Sequence, residues 1–236
     1  MKVAILCGGK GIRAFPFTEC MPKPMLPVDG SPIIVQLIKS FIAQGCHEFV
    51  LAAGHLKNVM DDYFEGKDLN ADITIVDTGE NADTGQRIFS CQPYLGDSFL
   101  ATYGDGLSDV PVHGLVDFHR RHGRLATLTA VPLMTQYGVL DADDRGYVRS
   151  MREKPVLRDH WINAGFMVFN KRVFDYWTGT NLERDVLPRL IEMGELYMYR
   201  HEGFFKSMDS YKDQQEFEEL VRSGRAPWKA LHEHLV

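Results

Sequence analysis

Residues 3–13 read VAILCGGKGIR, a short apolar run followed directly by a loop with three glycines. A continuous apolar run of this length is typical of a strand buried on both faces of a parallel sheet. Because glycine lacks a Cβ atom, the loop can bring successive backbone N–H groups close to an anion. The spacing matches neither the GxGxxG pattern of dinucleotide sites nor the P-loop. Taken alone, the loop fits either a tight turn or a phosphate site of another type.

Further apolar runs alternate with helical patterns through the first half of the chain. Strands are predicted at residues 2–6, 49–53, 73–76, 98–104, 125–131 and 165–170. Helices are predicted between the N-cap Ser31 and Gly45, at 56–64, at 112–122, and from Asp209 to Gly224. This alternation predicts an α/β fold, a Rossmann-like, mixed and mainly parallel sheet flanked by helices.

The second half adds an antiparallel feature to this pattern. Residues 137–155, YGVLDADDRGYVRSMREKP, predict two strands joined by a turn at DADDRG. No repeat, low-complexity tract or linker divides the sequence. Residues 1–236 are therefore predicted to form a single domain in which the later strands extend the same sheet.

Composition excludes several classes of function. The formal net charge of -6 argues against general nucleic-acid binding, which needs a basic surface. The four cysteines form no CxxC pair, so we expect reduced, mostly buried thiols in a cytoplasmic protein. The N-terminal apolar run is too short for a signal peptide, and no stretch reaches the ~20 apolar residues of a membrane span. We therefore expect neither nucleic acid nor membrane as a partner.

Two cations flank the run AFPFTECMP at residues 14–22. Arg13 stands before this run and Lys23 after it, and four prolines between residues 16 and 27 stiffen the segment. Arginine offers a planar fork to phosphate oxygens, and lysine offers a point charge. The pair predicts a polyphosphate site, although Arg13 considered alone also fits a solvated loop arginine.

Two aspartates are candidates for a metal site. Asp105 follows a predicted buried strand in the motif YGDG, at the edge where open α/β sheets bind ligands. A carboxylate there suits Mg²⁺ with open positions for phosphate oxygens, but Asp-Gly is also a common turn pair. Asp209 precedes the last predicted helix, where it fits an N-cap, a metal ligand, or both.

These motifs and several others resemble those of the sugar-1-phosphate nucleotidylyltransferases. The matching segments are GGKGIRAFPFTECMPKPMLPVDGSPII, VDTGENADTGQRI, TYGDGLSDV, HGRLATLTAV, EKP, INAGFMVFN, GFFKSMDSYKD and GRAPWK, and they span nearly the whole chain. The resemblance implies the nucleotide-diphospho-sugar transferase type of fold. It also implies a Mg²⁺-dependent reaction of a nucleoside triphosphate with a sugar 1-phosphate that releases pyrophosphate. Within the family, TYGDG, VDTG and the closing segments are most similar to the glucose-1-phosphate cytidylyltransferases.

The resemblance also implies site residues. It places a nucleotide-binding core at about 1–110 and a sugar-phosphate-binding elaboration at about 111–236. The implied nucleotide contacts are Leu6, Gly8, Gly9, Gly11, Arg13, Lys23, Thr84, Gly85, Arg87, Gly104 and Asp105. The implied sugar-phosphate contacts are Gly138, Glu153, Lys154 and Asn163. The implied metal ligands are Asp105 and Asp209, and the implied catalytic residues are Arg13, Lys23 and Asp105.

Two departures from the family leave the substrates open. Ile12 stands where relatives usually have threonine, which leaves the base preference open between CTP, UTP and dTTP. The segment 63–76 is shorter than is usual in the cytidylyltransferases, which affects the expected acceptor and the expected homo-oligomeric state. The alternatives are the same chemistry on another phosphorylated acceptor, or a catalytically silent subunit that binds a nucleotide sugar. A dinucleotide-dependent oxidoreductase is disfavoured because its fingerprint is missing.

Overall fold

The computed structural model describes residues 1–11 and 17–232. A mixed sheet of seven strands forms the centre of this part of the chain. The strands in this part are β1 Val3–Leu6, β2 Pro27–Val28, β3 Ser31–Pro32, β4 Glu48–Ala53, β5 Asp72–Asp77, β6 Ser98–Tyr103, β7 Gly106–Ser108, β8 Ala126–Met134, β9 Val139–Ala142, β10 Val148–Arg152, β11 Val156–Asn170, β12 Leu196–Arg200 and β13 Phe205–Ser207. The order in the main sheet is β12-β8-β11-β6-β1-β4-β5.

Most neighbouring strands in the main sheet are parallel. β1 pairs with β4 and β6, β4 with β5, and β8 with β12, all in parallel register. The exception is β11, which runs antiparallel between β6 and β8. The predicted mixed, mainly parallel sheet is therefore confirmed, and strands from both halves of the chain contribute to it.

Helices cover both faces of this sheet. They are α1 Ile33–Ile42, α2 Lys57–Phe64, α3 Thr84–Ser90, α4 Val112–His122, α5 Leu187–Glu192, α6 Tyr211–Arg222 and α7 Pro227–His232. The side chains of β1 alternate between two apolar cores: Val3 and Ile5 join the core with α1, whereas Ala4 and Leu6 join the core with α5. Burial on both faces explains why β1 is apolar without interruption.

The ends of the predicted helices are partly corrected by the structure. Ser31 is not the N-cap of α1: it lies in β3, and its hydroxyl accepts a hydrogen bond from Gln36 Nε2 at 2.9 Å. The N-cap is Pro32, which makes no side-chain capping bond. The predicted end of α4 at Gly123 is confirmed, since this glycine takes the left-handed conformation with φ 64°.

The predicted hairpin is confirmed as β9 and β10. The expectation that the later strands all extend the main sheet is wrong for this pair, which forms a separate antiparallel sheet, whereas β8, β11 and β12 do join the main sheet. All four cysteines are free, and Cys7, Cys46 and Cys91 are buried. Among the described residues, no helix combines the length and apolar character needed to cross a membrane.

Candidate active site

The ends of β1 and β6 lie side by side and open into one cavity. Leu6 is paired with Tyr103, and the N–H of Gly104 donates to the carbonyl oxygen of Leu6 at 2.9 Å. A Cβ atom on Gly104 would lie 3.2 Å from that oxygen and from the ring of Pro24. Glycine at this position therefore lets the two loops approach each other closely.

The cavity has a volume of about 360 Å³ and gathers most of the predicted nucleotide contacts. Those that line it are Leu6, Gly8, Gly9, Gly11, Lys23, Thr84, Arg87 and Asp105. Gly104 and Gly85 do not line it, but Gly104 is hydrogen-bonded to the lining residue Leu6, and Gly85 follows the lining residue Thr84. Arg13 and Ile12 lie outside the described residues. A volume of this size is within the range of small-molecule sites.

A short antiparallel pair of strands brings the two candidate metal ligands together. β7 follows Asp105 and β13 ends just before Asp209, and Gly106 faces Ser207 across the pair. The N–H of Met208 donates to the carbonyl oxygen of Asp105 at 2.8 Å. This pairing brings Asp209 next to Asp105, which lines the cavity, although the two residues are about a hundred positions apart in sequence.

Lys23 bridges these carboxylates. Its Nζ donates to Asp105 Oδ2 at 2.6 Å and to Asp209 Oδ1 at 2.7 Å. Burial lowers the pKa of Lys23, but the two carboxylates outweigh that effect and hold the pKa above its ordinary value. Asp209 also accepts from the hydroxyl of Ser207 at 3.1 Å. The Lys23 ammonium is therefore protonated at neutral pH and lies within hydrogen-bonding distance of both carboxylates.

The donor set suits a hard divalent cation that is shared with a substrate. Both carboxylate oxygens lie within 2.7 Å of a single atom, so one ion could contact both. In residues 1–11 and 17–232, no group of three or more His, Cys, Asp or Glu side chains could hold a metal ion. Mg²⁺ commonly takes one or two protein carboxylates and completes its coordination with phosphate oxygens and water. Asp105 and Asp209 fit that pattern.

The expected N-cap role of Asp209 is wrong, and the reason lies in the next residue. Ser210 is the N-cap of α6, and it forms a capping box with Asp213. The N–H of Asp209 donates to Asp213 Oδ2 at 3.1 Å, so the capping box also fixes the backbone of Asp209. The carboxylate of Asp209 is thereby turned toward Lys23 instead of toward its own helix.

Arg87 lies beneath the glycine loop. Its guanidinium donates to Thr78 Oγ1 at 2.6 Å and to the carbonyl oxygens of Gly79 at 2.9 Å and Glu80 at 3.2 Å. A Cβ atom on Gly8 would lie 2.2 Å from Arg87 Nη1. Burial lowers the pKa of Arg87 from its ordinary value. The guanidinium lines the cavity together with the carboxylate of Asp83, and none of the described carboxylates forms a direct ion pair with it.

Thr84 and Gly85 begin α3 and pack against the turn at 180–183. The hydroxyl of Thr84 donates to Glu183 Oε2 at 2.7 Å and accepts from the N–H of Leu182 at 2.9 Å. A Cβ atom on Gly85 would lie 2.8 Å from the carbonyl oxygen of Thr180. The absent side chain of Gly85 therefore makes room for this turn, and its contact with a base stays a prediction.

The predicted sugar-phosphate residues lie on the β9–β11 side of the molecule. A Cβ atom on Gly138 would lie 3.0 Å from Glu153 Oε2, so these two residues are adjacent. Lys154 has a positive φ of 45° immediately before a proline. Asn163 accepts from the N–H of Gly165 at 2.7 Å. None of the four sugar-phosphate residues lines the described cavity, and their roles stay predictions.

Comparison with known proteins decides the family. Residues 2–216 match the family model described as Nucleotidyl transferase. The chain belongs to the nucleotidyl transferase family. This confirms the resemblance of the sequence motifs, and with it an enzyme that transfers a nucleotidyl group.

Curated relatives and solved structures agree with this family. The chain is 35% identical to a glucose-1-phosphate cytidylyltransferase of Salmonella typhi, over 97% of this chain and 99% of the relative. It is 34% identical to a probable glucose-1-phosphate cytidylyltransferase of Bacillus subtilis, with the same coverage. A solved structure of a putative glucose-1-phosphate thymidylyltransferase of Bacillus anthracis, in complex with a sucrose, has a TM-score of 0.74 at 20% identity. The matched region covers 94% of this chain and 95% of the chain in that structure. This likeness confirms the nucleotide-diphospho-sugar transferase fold.

Neither Tyr103 nor Glu183 was predicted from the sequence as part of this candidate site. Tyr103 lines the cavity, and its hydroxyl donates to Glu183. Burial and the neighbouring Glu183 carboxylate raise the pKa of Tyr103, so its hydroxyl stays protonated. Glu183 also accepts from Thr84, so it links the start of α3 to the end of β6. The position of Tyr103 just before Gly104 in TYGDG was an available signal, whereas Glu183 lies in no recognisable motif.

Proposed function

We propose that this chain couples CTP to glucose 1-phosphate, giving CDP-glucose and pyrophosphate, with Mg²⁺ as cofactor. The main support is the meeting of Lys23, Asp105 and Asp209 at the edge of a cavity lined by a glycine loop. Backbone N–H groups, an ammonium and two carboxylates together suit a metal-bound polyphosphate. The choice of CTP and glucose 1-phosphate rests on two relatives whose names carry that activity.

The proposed reaction is a direct in-line displacement. A phosphate oxygen of glucose 1-phosphate attacks the α-phosphorus of CTP. The new O–P bond forms as the bond to the oxygen bridging the α- and β-phosphorus atoms breaks, and pyrophosphate leaves with that electron pair. Because the attacking phosphate is already anionic, no strong general base is needed. Catalysis then consists of positioning and charge neutralisation.

Residues of this chain supply those two functions. Lys23 would bind near the α-phosphate, and Arg13 would bind the β- and γ-phosphates. Asp105 and Asp209 would hold Mg²⁺, which neutralises charge on the phosphate oxygens. Lys154 would bind the phosphate of the sugar and so place the nucleophile.

The sugar pocket is proposed to contain Lys154 together with Gly138, Glu153 and Asn163. The positive φ of Lys154 supports a functional role, because a strained backbone persists mainly where the site requires it. The residue before a proline is restricted still further. Glu153 and Asn163 offer hydrogen-bonding groups that suit sugar hydroxyls.

One experiment tests this function and its alternatives. Pyrophosphate release is measured with CTP, UTP, dTTP and GTP against a panel of sugar 1-phosphates, with and without Mg²⁺. We expect the fastest release from CTP with glucose 1-phosphate, and only with Mg²⁺. A faster pair would replace the proposed substrates, which Ile12 and the short segment 63–76 leave open. No release from any pair would favour a catalytically silent subunit.

A variant pair locates the metal ligand within the same assay. Asp105→Asn removes one carboxylate charge and is expected to abolish Mg²⁺-dependent release. Asp117→Asn is the matched control, because Asp117 is exposed on α4 and pairs only with Arg120 on the surface among the described residues. Full Mg²⁺-dependent activity in Asp105→Asn would place the metal elsewhere.

A further inference from the structure

Lys23 occupies the space between the carboxylates of Asp105 and Asp209. Its Nζ lies 2.6 Å from Asp105 Oδ2 and 2.7 Å from Asp209 Oδ1, and only 10% of its side chain is exposed. A divalent cation that binds these two oxygens from the cavity would need the position that Nζ fills, since Mg²⁺ binds carboxylate oxygens at about 2.0–2.1 Å. The ammonium and a metal ion therefore compete for one position.

The charges favour the ammonium in the nucleotide-free protein. One ammonium lies against two carboxylates, and without it those carboxylates would repel each other. A metal ion bound beside the ammonium would place like charges within a few ångströms in a partly buried setting, where repulsion is strong. Stable metal binding therefore requires that Lys23 withdraw.

The local structure allows the ammonium to withdraw while the backbone stays in place. Lys23 begins a 3-10 turn, Lys23–Met25, that follows Pro22, and its carbonyl oxygen accepts from the N–H of Leu26 at 3.1 Å. A Cβ atom on Gly11 would lie 3.0 Å from the Lys23 Cβ, so the lysine stem runs beside the glycine loop. The four-carbon stem is flexible. A phosphate held by that loop would be a second anionic partner within its reach.

We propose that Lys23 is a positioning residue that takes the place of the metal ion until the nucleotide arrives. It holds Asp105 and Asp209 together and prevents a metal ion from binding alone. When the metal–nucleotide complex enters, the ammonium moves to a phosphate and the divalent cation takes its place between the carboxylates. The nucleotide phosphate as the second partner of Lys23 rests on the proposed function. The competition between the Lys23 ammonium and a metal ion does not.

The test is a metal titration of the full-length protein without nucleotide. Mn²⁺ replaces Mg²⁺ because free Mn²⁺ is measured directly by electron paramagnetic resonance. Lys23→Met keeps the apolar stem and removes the charge. We expect Lys23→Met to bind one Mn²⁺ about tenfold or more tightly than the wild type, since the gain removes a repulsion between close charges. Lys23→Gln is a second neutral variant if the methionine variant does not fold, as judged by circular dichroism.

Two controls make the result specific to these carboxylates. Adding Asp105→Asn to Lys23→Met should remove the gain. Lys57→Met is the control for the loss of a lysine charge, because Lys57 pairs with one carboxylate, Asp61 at 2.5 Å on α2, and does not line the cavity. It should not raise the affinity for Mn²⁺. Unchanged affinity in both neutral Lys23 variants, a gain that survives Asp105→Asn, or an equal gain in Lys57→Met would each overturn the proposal.

Thermal unfolding gives a second measurement that is independent of activity. Mg²⁺ alone should raise the Tm of Lys23→Met and leave that of the wild type nearly unchanged, because a ligand that binds only the folded state stabilises it. Equal responses of the two proteins would contradict the proposal. If Lys23→Met binds metal more tightly but the wild type releases no pyrophosphate, the proposed function is refuted and the competition between Lys23 and the metal ion still holds.

Discussion

Two adjacent glycines of the glycine loop, Gly8 and Gly9, are required for different structural reasons. A Cβ atom on Gly8 would lie 2.2 Å from Arg87 Nη1 and 2.8 Å from the carbonyl carbon of Ala53. A Cβ atom on Gly9 would meet nothing within 4 Å among the described residues. Gly8 is therefore needed to pack the buried guanidinium, whereas Gly9 faces open space in the cavity.

This difference predicts that the same substitution lowers stability at Gly8 and nucleotide binding at Gly9. Gly8→Ala should lower the free energy of unfolding by about 1–3 kcal/mol, as overpacking against a buried group does. Gly9→Ala should change it by less than about 0.5 kcal/mol. Gly9→Ala should instead weaken nucleotide binding, since its methyl group enters the cavity. Urea unfolding and a nucleotide titration measure the two effects, and equal stabilities of the two variants would contradict this account.

Lys154 combines a charge with a strained backbone, and two substitutions separate these properties. Lys154→Ala and Lys154→Gly both remove the ammonium and should raise KM for the sugar phosphate by about tenfold or more, with little change in KM for the nucleotide. Lys154→Gly should be the more stable variant by about 1 kcal/mol, because glycine adopts a φ of 45° without strain. Steady-state kinetics and thermal unfolding check both parts. An unchanged KM for the sugar phosphate in both variants would exclude the proposed phosphate contact.

At the scale of elements, strongly patterned segments were predictable and short ones were not. The long apolar face of α1 and the glycine stop of α4 marked those helices clearly. Helices α3, α5 and α7 were not predicted, because they have six or seven residues each and too few turns to show a period. Strand β12 was not predicted either, because its side chains are only partly buried or exposed and show no apolar run.

The candidate site was predictable in its residues but not in its contacts. Asp105 and Asp209 were recognisable from their motifs, and the structure brings both to Lys23. The pairing of β7 with β13 produces this arrangement, and these strands have only three residues each. Such short strands carry no periodic signal, so the lysine bridge could not be derived from the sequence.

The capping box of α6 also supports the site, because it fixes the backbone of Asp209. Ser210→Ala removes the side-chain bond to the N–H of Asp213 and should lower the free energy of unfolding by about 1 kcal/mol. It should also reduce Mg²⁺-dependent activity, since Asp209 loses part of its support. Ser223→Ala, at the other end of α6, is the matched control, where the hydroxyl donates to the Glu219 carbonyl oxygen. Urea unfolding and pyrophosphate release measure the effects. Equal losses of activity in both variants would argue against this link.

At the scale of the whole molecule, the sheet interleaves distant parts of the chain. β11 lies between β6 and β8. The cavity combines the end of β1 with residues near 23, 84 and 105, and Lys23 links it to Asp209. The apolar runs are similar to one another, so their sequences do not encode the order in which they pair. That order depends on the crossover connections between strands, which determine the sheet edge at which the next strand can pair.

One histidine makes the stability of the whole fold depend on pH. His119 is 5% exposed between α4 and the sheet, and its Nδ1 is hydrogen-bonded to Thr127 Oγ1 at 2.9 Å. Burial, together with the neighbouring His122 and Arg120, lowers its pKa to about 4. His119 is therefore mostly neutral in the folded protein above about pH 4.

The lowered pKa fixes the direction of the effect. Below about pH 6.5 the unfolded chain binds a proton at His119 that the folded protein does not bind. The stabilisation is complete above pH 6.5 and is lost as the pH falls toward about 4, up to about 3 kcal/mol. His119→Asn, which has no titrating group, should show a shallower fall of the unfolding free energy over this range. His113→Asn, on the exposed face of the same helix, should retain the wild-type slope. Urea unfolding at pH 4.5, 5.5, 6.5 and 7.5 measures these slopes, and equal slopes for wild type and His119→Asn would exclude this origin of the pH dependence.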